Sequence, residues 1–259
     1  MAMPIASSMI PGFTSAFFEE CDLKLARESL PAELKLMEGL LKNDPCNQKI
    51  LTALCMGFTG YAMLFVEDQD TERASNLYLR ARTYGLKAMG IENADSQHVL
   101  KRLKEITQEK IEPLFWTTMA WNAWTNLNLD NPTALGETTL AQACLERVLE
   151  IAPEFYHGAP YVLMGAILAA RPKMLGGNAP EAKTYFEKAI NVSDGKFLLA
   201  QYYFARYYAV RVQDKKLFLT LVKEVATTHP DDLKGACLIN QAVKQKMEAL
   251  AEMVDELFL

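Results

Sequence analysis

Apolar residues recur at helical spacing along nearly the whole chain, and no alternating apolar and polar run reaches convincing strand length. Residues 55–88 fit the register of a tetratricopeptide repeat of ~34 residues without a gap. The residues that carry the pattern are Phe58, Tyr61, Ala62 and Phe65 on the first helix and Ala74, Tyr78 and Ala81 on the second. Because the small residues allow two helices to approach closely, the pattern predicts a helix-turn-helix unit.

Weaker versions of the same pattern predict further units downstream. The predicted segments are 116–153, 158–194 and 199–232 as repeat units, 32–45 as the second helix of an incomplete first unit, and 233–257 as a helix that caps the stack. We expect disorder over 1–12. The sequence therefore predicts an all-α, tetratricopeptide-like solenoid of degenerate repeats, forming one domain over residues 1–259.

Capping residues mark several predicted helix boundaries. Asn131 and Asn178 each precede a proline in the first helical turn, and Asp95 is placed to cap an extra helix that runs to about Glu112 and is ended or kinked by Pro113. Asp231 and Asp232 are predicted to begin the last helix. The loop over 171–178 contains Gly176-Gly177, for which a shaped turn is favoured over an anion-binding site.

Composition limits the classes of partner. The net charge of −5 comes without a basic stripe, which argues against a nucleic-acid partner. The first twelve residues lack the pattern of a secretory signal, and no run is expected to reach the ~18 apolar residues of a membrane span. The sequence therefore predicts a soluble chain.

The five cysteines are Cys21, Cys46, Cys55, Cys144 and Cys237. They include no CxxC pair and have no histidine at metal-ligand spacing, so we expect each to be a small buried apolar residue rather than a metal ligand. The odd number neither requires nor forbids one disulfide.

Catalytic motifs that can be recognised by spacing are missing from the sequence. There is no G-x-S-x-G, G-x-x-x-x-G-K, H-E-x-x-H or G-x-G-x-x-G, and the three histidines belong to three different predicted units. We therefore predict a binding protein without a catalytic site, metal site or cofactor.

Aromatic residues concentrate on the first helix of successive predicted units, the helices that line the concave face in this architecture. Most of them could serve packing between repeats. The alternative is an apolar cavity with polar edges that accepts a small organic ligand or a partner's side chain. The predicted ligand-binding residues are Trp116, Trp121, Trp124, Tyr161, Tyr202, Arg206 and Tyr207. Trp121 and Trp124, three residues apart on one helix face, are the strongest candidates.

Arg206 places an ion in an otherwise apolar helix, at a position where the repeat prefers a small residue. It could form a structural ion pair, stack on aromatic rings, or direct its guanidinium at a ligand carboxylate. Arg80 and Arg82 are expected to lie on a solvated face.

Several short stretches stand out along the chain: Glu38-Gly39-Leu40-Leu41 with Asp44-Pro45, Gly60-Tyr61-Ala62 through Phe65-Val66-Glu67-Asp68, 77–86, Trp121-Asn122-Ala123-Trp124, 146–150, Leu175-Gly176-Gly177, 205–209 and 255–258. These stretches resemble the T component of tetratricopeptide-associated TRAP transporters, the TatT family. They follow the family order over nearly the whole chain. They are specific in combination, and none is specific alone.

This resemblance implies a periplasmic, typically lipid-anchored helical solenoid that binds the substrate-binding protein of a TRAP importer of organic acids. It also implies a trimer with a cavity for an apolar or organic-acid ligand, and it extends a ligand-cavity role to Trp121, Trp124, Tyr202, Arg206 and Tyr207. No lipidation cysteine precedes Ser7, and Cys21 lacks a lipobox. We therefore expect either that a leader has been removed or that this member lacks the anchor.

The sequence is compatible with two functions. One is an accessory component of a TRAP importer that binds the substrate-binding protein and a small ligand. The other is a tetratricopeptide scaffold that binds an extended peptide in its groove. Since the concave helices are predicted to be aromatic rather than rich in Asn, Lys and Arg, the first is favoured.

Overall fold

The computed structural model describes residues 2–91 and 95–258, and no β-strand occurs among them. The α-helices are α1 Ala2–Glu19, α2 Leu23–Leu41, α3 Gln48–Tyr61, α4 Thr71–Ala88, α5 Ser96–Glu105, α6 Ile111–Leu127, α7 Pro132–Ile151, α8 Phe155–Ala170, α9 Ala179–Val192, α10 Leu199–Tyr203, α11 Lys215–Thr227, α12 Cys237–Glu252 and α13 Val254–Leu257. This confirms the predicted all-α class.

The chain divides into two compact units. Unit 1 comprises residues 1–16 and 24–152, and unit 2 comprises 17–23 and 153–259. The predicted repeat 55–88 falls in unit 1, as does 116–153 except for its last residue, Pro153, and the repeats 158–194 and 199–232 fall in unit 2. The single-domain organisation and the tetratricopeptide character of the pairs stay predictions.

Unit 1 is built from helix pairs that pack through a shared core. Helix α3 packs against α4 and α6, α4 packs against α6, and α6 packs against α7. Every residue of α3 from Ile50 to Gly60 is buried, so this helix is enclosed by the others. The segment Gln48–Val66 is long and apolar enough to cross a membrane, contrary to the expectation that no run reaches that length. However, 89% of its most apolar window is buried inside the protein, as in a core helix.

Unit 2 repeats the pairing with different helices. Helix α8 packs against α9, and α10 packs against α8, α9, α11 and α12. Residues 156–158 at the start of α8 have left-handed backbone angles, so the regular part of the helix begins at Ala159. Pro160 therefore lies in the first regular turn, where its missing N–H costs no hydrogen bond.

Two helices end in a π-helical segment, a feature that the sequence did not predict. Residues Ala62–Val66 continue α3, and Phe204–Ala209 continue α10. The wider hydrogen bonds are visible in Glu67 N to Ala62 O at 2.9 Å and Val210 N to Ala205 O at 3.2 Å. Since π-bulges often occur at functional sites, the second segment, which contains Arg206, is of particular interest.

Predicted helix caps are confirmed. The Asn131 side chain accepts from Thr133 N at 2.9 Å, and Asn178 accepts from Glu181 N at 3.3 Å. Asp95 accepts from the backbone N–H groups of the next turn. In the loop after α8, a Cβ on Gly177 would lie 1.9 Å from the Arg171 carbonyl oxygen, and Gly176 has φ +86°. These two glycines therefore shape a tight turn, as predicted.

Two predictions near the N-terminus were wrong. Residues 2–19 form α1 rather than a disordered tail, and Ile10 is buried in unit 1. The incomplete unit predicted over 32–45 is a longer helix that begins at Leu23. The buried positions Ala26, Leu30 and Leu34 continue across Pro31, and their burial outweighs the loss of one helical hydrogen bond.

Two other predicted boundaries also shift. The extra helix from Ser96 ends at Glu105, and Pro113 lies in the first turn of α6 instead of ending a helix. The predicted capping helix 233–257 begins only at Cys237. The residues before it form a short 3-10 turn, Pro230–Asp232, and Gly235 has φ +78°, which is incompatible with a continuous helix.

Candidate functional site

In unit 2, a charged side chain is surrounded by tyrosines at the π-helical segment. The Arg206 guanidinium donates to the Tyr202 hydroxyl at 2.7 Å and lies over the rings of Tyr202 and Tyr207, 5.8 and 5.5 Å from their centroids. Tyr203 contacts both of these rings, at 5.7 and 5.1 Å between centroids. We call these four residues the Arg206 cluster. It unites three of the predicted site residues.

In the π-helical segment each backbone hydrogen bond spans five residues, whereas it spans four in an α-helix with 3.6 residues per turn. Buried residues of the segment, Phe204, Ala205 and Ala209, anchor it in the core, while Arg206 and Tyr207 remain half-buried. Phe204 stacks on Phe186 of α9 at 5.0 Å between centroids. The core contacts of this segment therefore hold the cluster in place.

The Arg206 guanidinium is a permanent charge in this setting. Burial alone would lower its pKa, but the tyrosines around it, with Tyr207 and Tyr202 first, outweigh burial and raise the pKa above its usual range. A guanidinium offers five N–H donors in a planar fork. Together with the aromatic rings, this arrangement is suited to a carboxylate attached to an apolar body.

Tyr161 lies on α8 and contacts different residues. Its ring is 6.0 Å from that of Tyr185, and the Lys188 ammonium lies 5.8 Å from the Tyr161 centroid. Tyr161 is half-buried. The contacts described for it are therefore with α9 rather than with the Arg206 cluster.

The three tryptophans of the predicted site lie on α6 in unit 1 and are buried, with 1% to 5% of their surfaces exposed. Trp116 packs edge-on against Phe115 at 5.1 Å. Trp121 and Trp124 share one helix face, as their spacing predicts, because the Arg82 guanidinium lies 4.8 and 5.0 Å from their ring centroids. In this arrangement they pack the core of unit 1, and a ligand role for them stays a prediction.

Arg82 was wrongly predicted to lie on a solvated face. Only 15% of its side chain is exposed, and it forms an ion pair with Glu137 of α7, which also accepts from Trp121 Nε1 at 2.8 Å. Arg80 lies where expected, since 41% of its side chain is exposed while it pairs with Glu38. Sequence reasoning missed Glu137 because it follows Gly136 in a stretch without a recognisable motif.

Two of the five cysteines form a disulfide, Cys21–Cys237, within unit 2. The sequence had left one disulfide open. The expectation that each cysteine is buried is confirmed for Cys237 and wrong for Cys21 and Cys46, which are exposed. Cys55 and Cys144 are buried thiols as predicted, and burial raises the pKa of each to about 12. A thiol with such a pKa is a poor nucleophile at neutral pH.

Within residues 2–91 and 95–258, no three His, Cys, Asp or Glu side chains converge as metal ligands. Aromatic surface and fixed charge are the properties with which side chains can hold an organic ligand. Among the predicted residues, the Arg206 cluster combines these two properties with partial exposure.

Comparison with known proteins places this chain in a family. An uncharacterized protein of Treponema pallidum (strain Nichols) is 29% identical over 199 residues, which cover 68% of this chain and 61% of that protein. The chain thus spans about three-fifths of the length of the curated relative it matches. The family described as TRAP transporter T-component matches residues 19–258. The chain therefore belongs to the TRAP transporter T-component family, a family of transport accessory components that is not a known enzyme family.

Proposed function

We propose that this protein is a periplasmic accessory component of a TRAP-type importer. In this role it binds the importer's substrate-binding protein and a small apolar or organic-acid ligand. The family match over residues 19–258 supports the transport role. The observation that carries the ligand proposal is the Arg206 cluster, in which a half-buried, permanently charged guanidinium is bordered by tyrosine rings.

The ligand class follows from this geometry. A carboxylate would accept hydrogen bonds from the Arg206 fork, and the rings of Tyr202 and Tyr207 would contact the apolar part of the acid. The Tyr202 hydroxyl accepts from Arg206 and so fixes the direction of the fork. Fixing the guanidinium in advance lowers the entropic cost of binding.

The Cys21–Cys237 disulfide supports a periplasmic location. Disulfides persist in oxidising compartments and are rare in the reducing cytosol of most organisms. The same proposal includes the lipid anchor and the trimeric assembly of the protein, both of which the family resemblance implies. Sedimentation equilibrium would measure the assembly: a mass of three chains supports it, and a monomer contradicts it.

A thermal-shift screen tests the ligand proposal. A ligand present at 100 times its dissociation constant should add about 2.7 kcal/mol of stability. We expect apolar monocarboxylates to raise the melting temperature and the matched amides to have no effect. We expect Arg206→Gln to abolish the response, and Arg206→Lys to weaken it because an ammonium lacks the planar fork.

Arg211→Gln is the matched control, because Arg211 lies one turn beyond the cluster, is exposed, and donates to the Ala170 carbonyl. It should keep the full response. An unchanged response in Arg206→Gln would contradict the proposed site.

A second experiment tests the partner. The protein would be immobilised, and native periplasmic extract would be passed over it with and without the acids found in the screen. Recovery of a TRAP substrate-binding protein supports the proposal. Recovery of unfolded peptides instead, with no response to any acid, would favour the alternative function of a tetratricopeptide scaffold.

A further inference from the structure

Unit 1 contains a cavity of about 440 Å³ that includes none of the predicted site residues. Residues of α1, α3 and α6 line it, together with Ala88 at the end of α4 and with Glu109 and Lys110 in the 3-10 turn just before α6. Its volume lies toward the lower end of the ~300–1,000 Å³ typical of small-molecule sites. The cavity is therefore suited in size to a compact ligand.

The inner wall of this cavity is apolar. Ile10, Ala53 and Met56 line it and are each at most 7% exposed, and Pro113 is also buried. These side chains come from three different helices. They can contact an apolar body from several sides, which is the arrangement that excludes water most effectively.

Charged side chains lie at the mouth of the cavity, and they differ in whether they have a hydrogen-bond partner. The Lys110 ammonium donates to Gln48 Oε1 at 2.5 Å and to the Ala88 carbonyl at 3.2 Å. In contrast, the side chains of Glu109, Glu112 and Lys49 form no hydrogen bond or ion pair with the residues that the structure describes. The two carboxylates and the Lys49 ammonium thus remain to interact with a ligand. Lys110 keeps its positive charge, because its two acceptors are neutral, so the mouth carries two charges of each sign.

Of the two acids, Glu112 is the one next to an apolar lining residue in the chain. Pro113 of the apolar wall follows it directly on the first turn of α6. The side chain of Glu112 is exposed, but the atoms around it desolvate the carboxyl in part, and this partial desolvation raises its pKa. An acid that has lost water without gaining a cation shows this direction of shift. A ligand cation would supply the missing interaction.

We propose that the unit 1 cavity binds a small molecule that carries an ammonium group on an apolar body. The ammonium pairs with Glu112 at the mouth, and the body lies against Met56, Ala53 and Ile10. The ligand is an amine or an amino acid, and in an amino acid the carboxylate pairs with Lys49. This site differs from the Arg206 cluster in its unit and in the sign of charge that it selects.

Isothermal titration calorimetry on the full chain with four matched probes tests this proposal. The probes are phenethylamine, phenylalanine, 2-phenylethanol and 3-phenylpropionate, which share a ring and differ in charge. We expect the two ammonium-bearing probes to bind at least tenfold more tightly than the alcohol. If phenylalanine binds more tightly than phenethylamine and Lys49→Gln removes the difference, the ligand is an amino acid. If the two probes bind equally, the ligand is an amine.

Variants separate this cavity from other sites. Glu112→Gln preserves shape and should weaken amine binding at least tenfold, whereas Glu146→Gln, an exposed acid on α7, should not change it. Thr14→Trp would place a ring into the cavity from α1 and should block all probes there. Arg206→Gln should leave amine binding intact, so failure of the organic-acid proposal is distinguishable from failure of this one.

The proposal is overturned if the alcohol binds as well as the amine, or if no probe binds at millimolar concentration. It is also overturned if Glu112→Gln retains the wild-type affinity. Circular dichroism of each variant at the titration temperature would show that a lost signal reflects lost binding and not unfolding.

Discussion

The indole Nε1–H of Trp121 donates a hydrogen bond to Glu137 Oε2 at 2.8 Å, and the same carboxylate oxygen forms the ion pair with Arg82. Arg82 in turn lies over the rings of Trp121 and Trp124. One carboxylate on α7 therefore holds side chains from α4 and α6. The core of unit 1 depends on a polar network as well as on apolar packing.

Glu137→Ala should lower the free energy of unfolding by about 2–3 kcal/mol, because it leaves a largely buried guanidinium and an indole N–H without their partner. Urea unfolding monitored by tryptophan fluorescence measures this. Glu146→Ala is the control on the same helix, since Glu146 is exposed and accepts a hydrogen bond from the neutral side chain of Gln142. Its effect should stay within about 0.5 kcal/mol. Equal losses in the two variants would show that the network contributes nothing.

Substitution by alanine should change the stability of the protein in opposite directions at two helical glycines of unit 1. A Cβ on Gly85 would lie 1.9 Å from Thr117 Oγ1 and 2.8 Å from Cys55 Sγ, whereas a Cβ on Gly60 would meet no atom within 4 Å. Gly85→Ala should therefore destabilise the protein by about 1–3 kcal/mol through overpacking. Gly60→Ala should stabilise it by about 0.5–1 kcal/mol because alanine is the better helix former.

Chemical denaturation of both variants in parallel tests this pair of expectations. No loss of stability in Gly85→Ala would mean that α4 approaches α6 less closely than described. A loss in Gly60→Ala would mean that the space beside Gly60 on α3 is more crowded than described.

The sequence predicts the parts of this molecule that repeat locally. The helical class and the caps at Asn131 and Asn178 follow from spacing and side-chain chemistry, and the shared face of Trp121 and Trp124 follows from their separation by three residues. The family could also be recognised, because short segments occur in a fixed order along the chain.

Features that depend on distant partners could not be predicted in this way. Glu137 reaches Arg82 across 55 residues, and Cys21 reaches Cys237 across 216, and no periodic pattern relates either pair. The π-helical segment at Arg206 gave no signal either, because one inserted residue changes helical spacing less than the scatter of a degenerate repeat does. The cavity at Glu112 combines residues from several helices, each of which appears as an ordinary boundary or surface residue in the sequence.

Removing the disulfide should destabilise unit 2. The cross-link joins residues 216 positions apart, and the chain-entropy account assigns a loop of that length about 5 kcal/mol of stabilisation. We expect the double variant Cys21→Ser with Cys237→Ser to melt well below the wild type. Dithiothreitol should lower the wild-type melting temperature to that of the variant and leave the variant unchanged.

Cys46→Ser is the control for this experiment, because Cys46 is an exposed free thiol. It should melt as the wild type does under both conditions. A wild type insensitive to the reductant, with thiol titration confirming that the bond has been reduced, would show that the cross-link adds no stability.

Acid should weaken the protein through His157. Its imidazole is half-buried between Tyr156 and Phe197, with ring centroids 5.3 and 5.6 Å away, and burial lowers its pKa below the usual value. The unfolded chain therefore takes up a proton at a higher pH than the folded one does. The contribution of His157 to stability is fully present above the unfolded pKa of about 6.5 and is lost as pH falls through and below it.

His157→Asn removes this titration while tolerating the left-handed backbone at this position, where φ is 61°. Urea unfolding at pH 8 and pH 5 should show a smaller loss of stability on acidification in His157→Asn than in the wild type. His98→Asn, at an exposed histidine of α5, controls for the loss of a histidine as such and should retain the wild-type difference. If all three proteins lose the same stability, the imidazole of His157 is as well solvated in the folded chain as in the unfolded one, and the packing of its ring against Phe197 does not persist in solution.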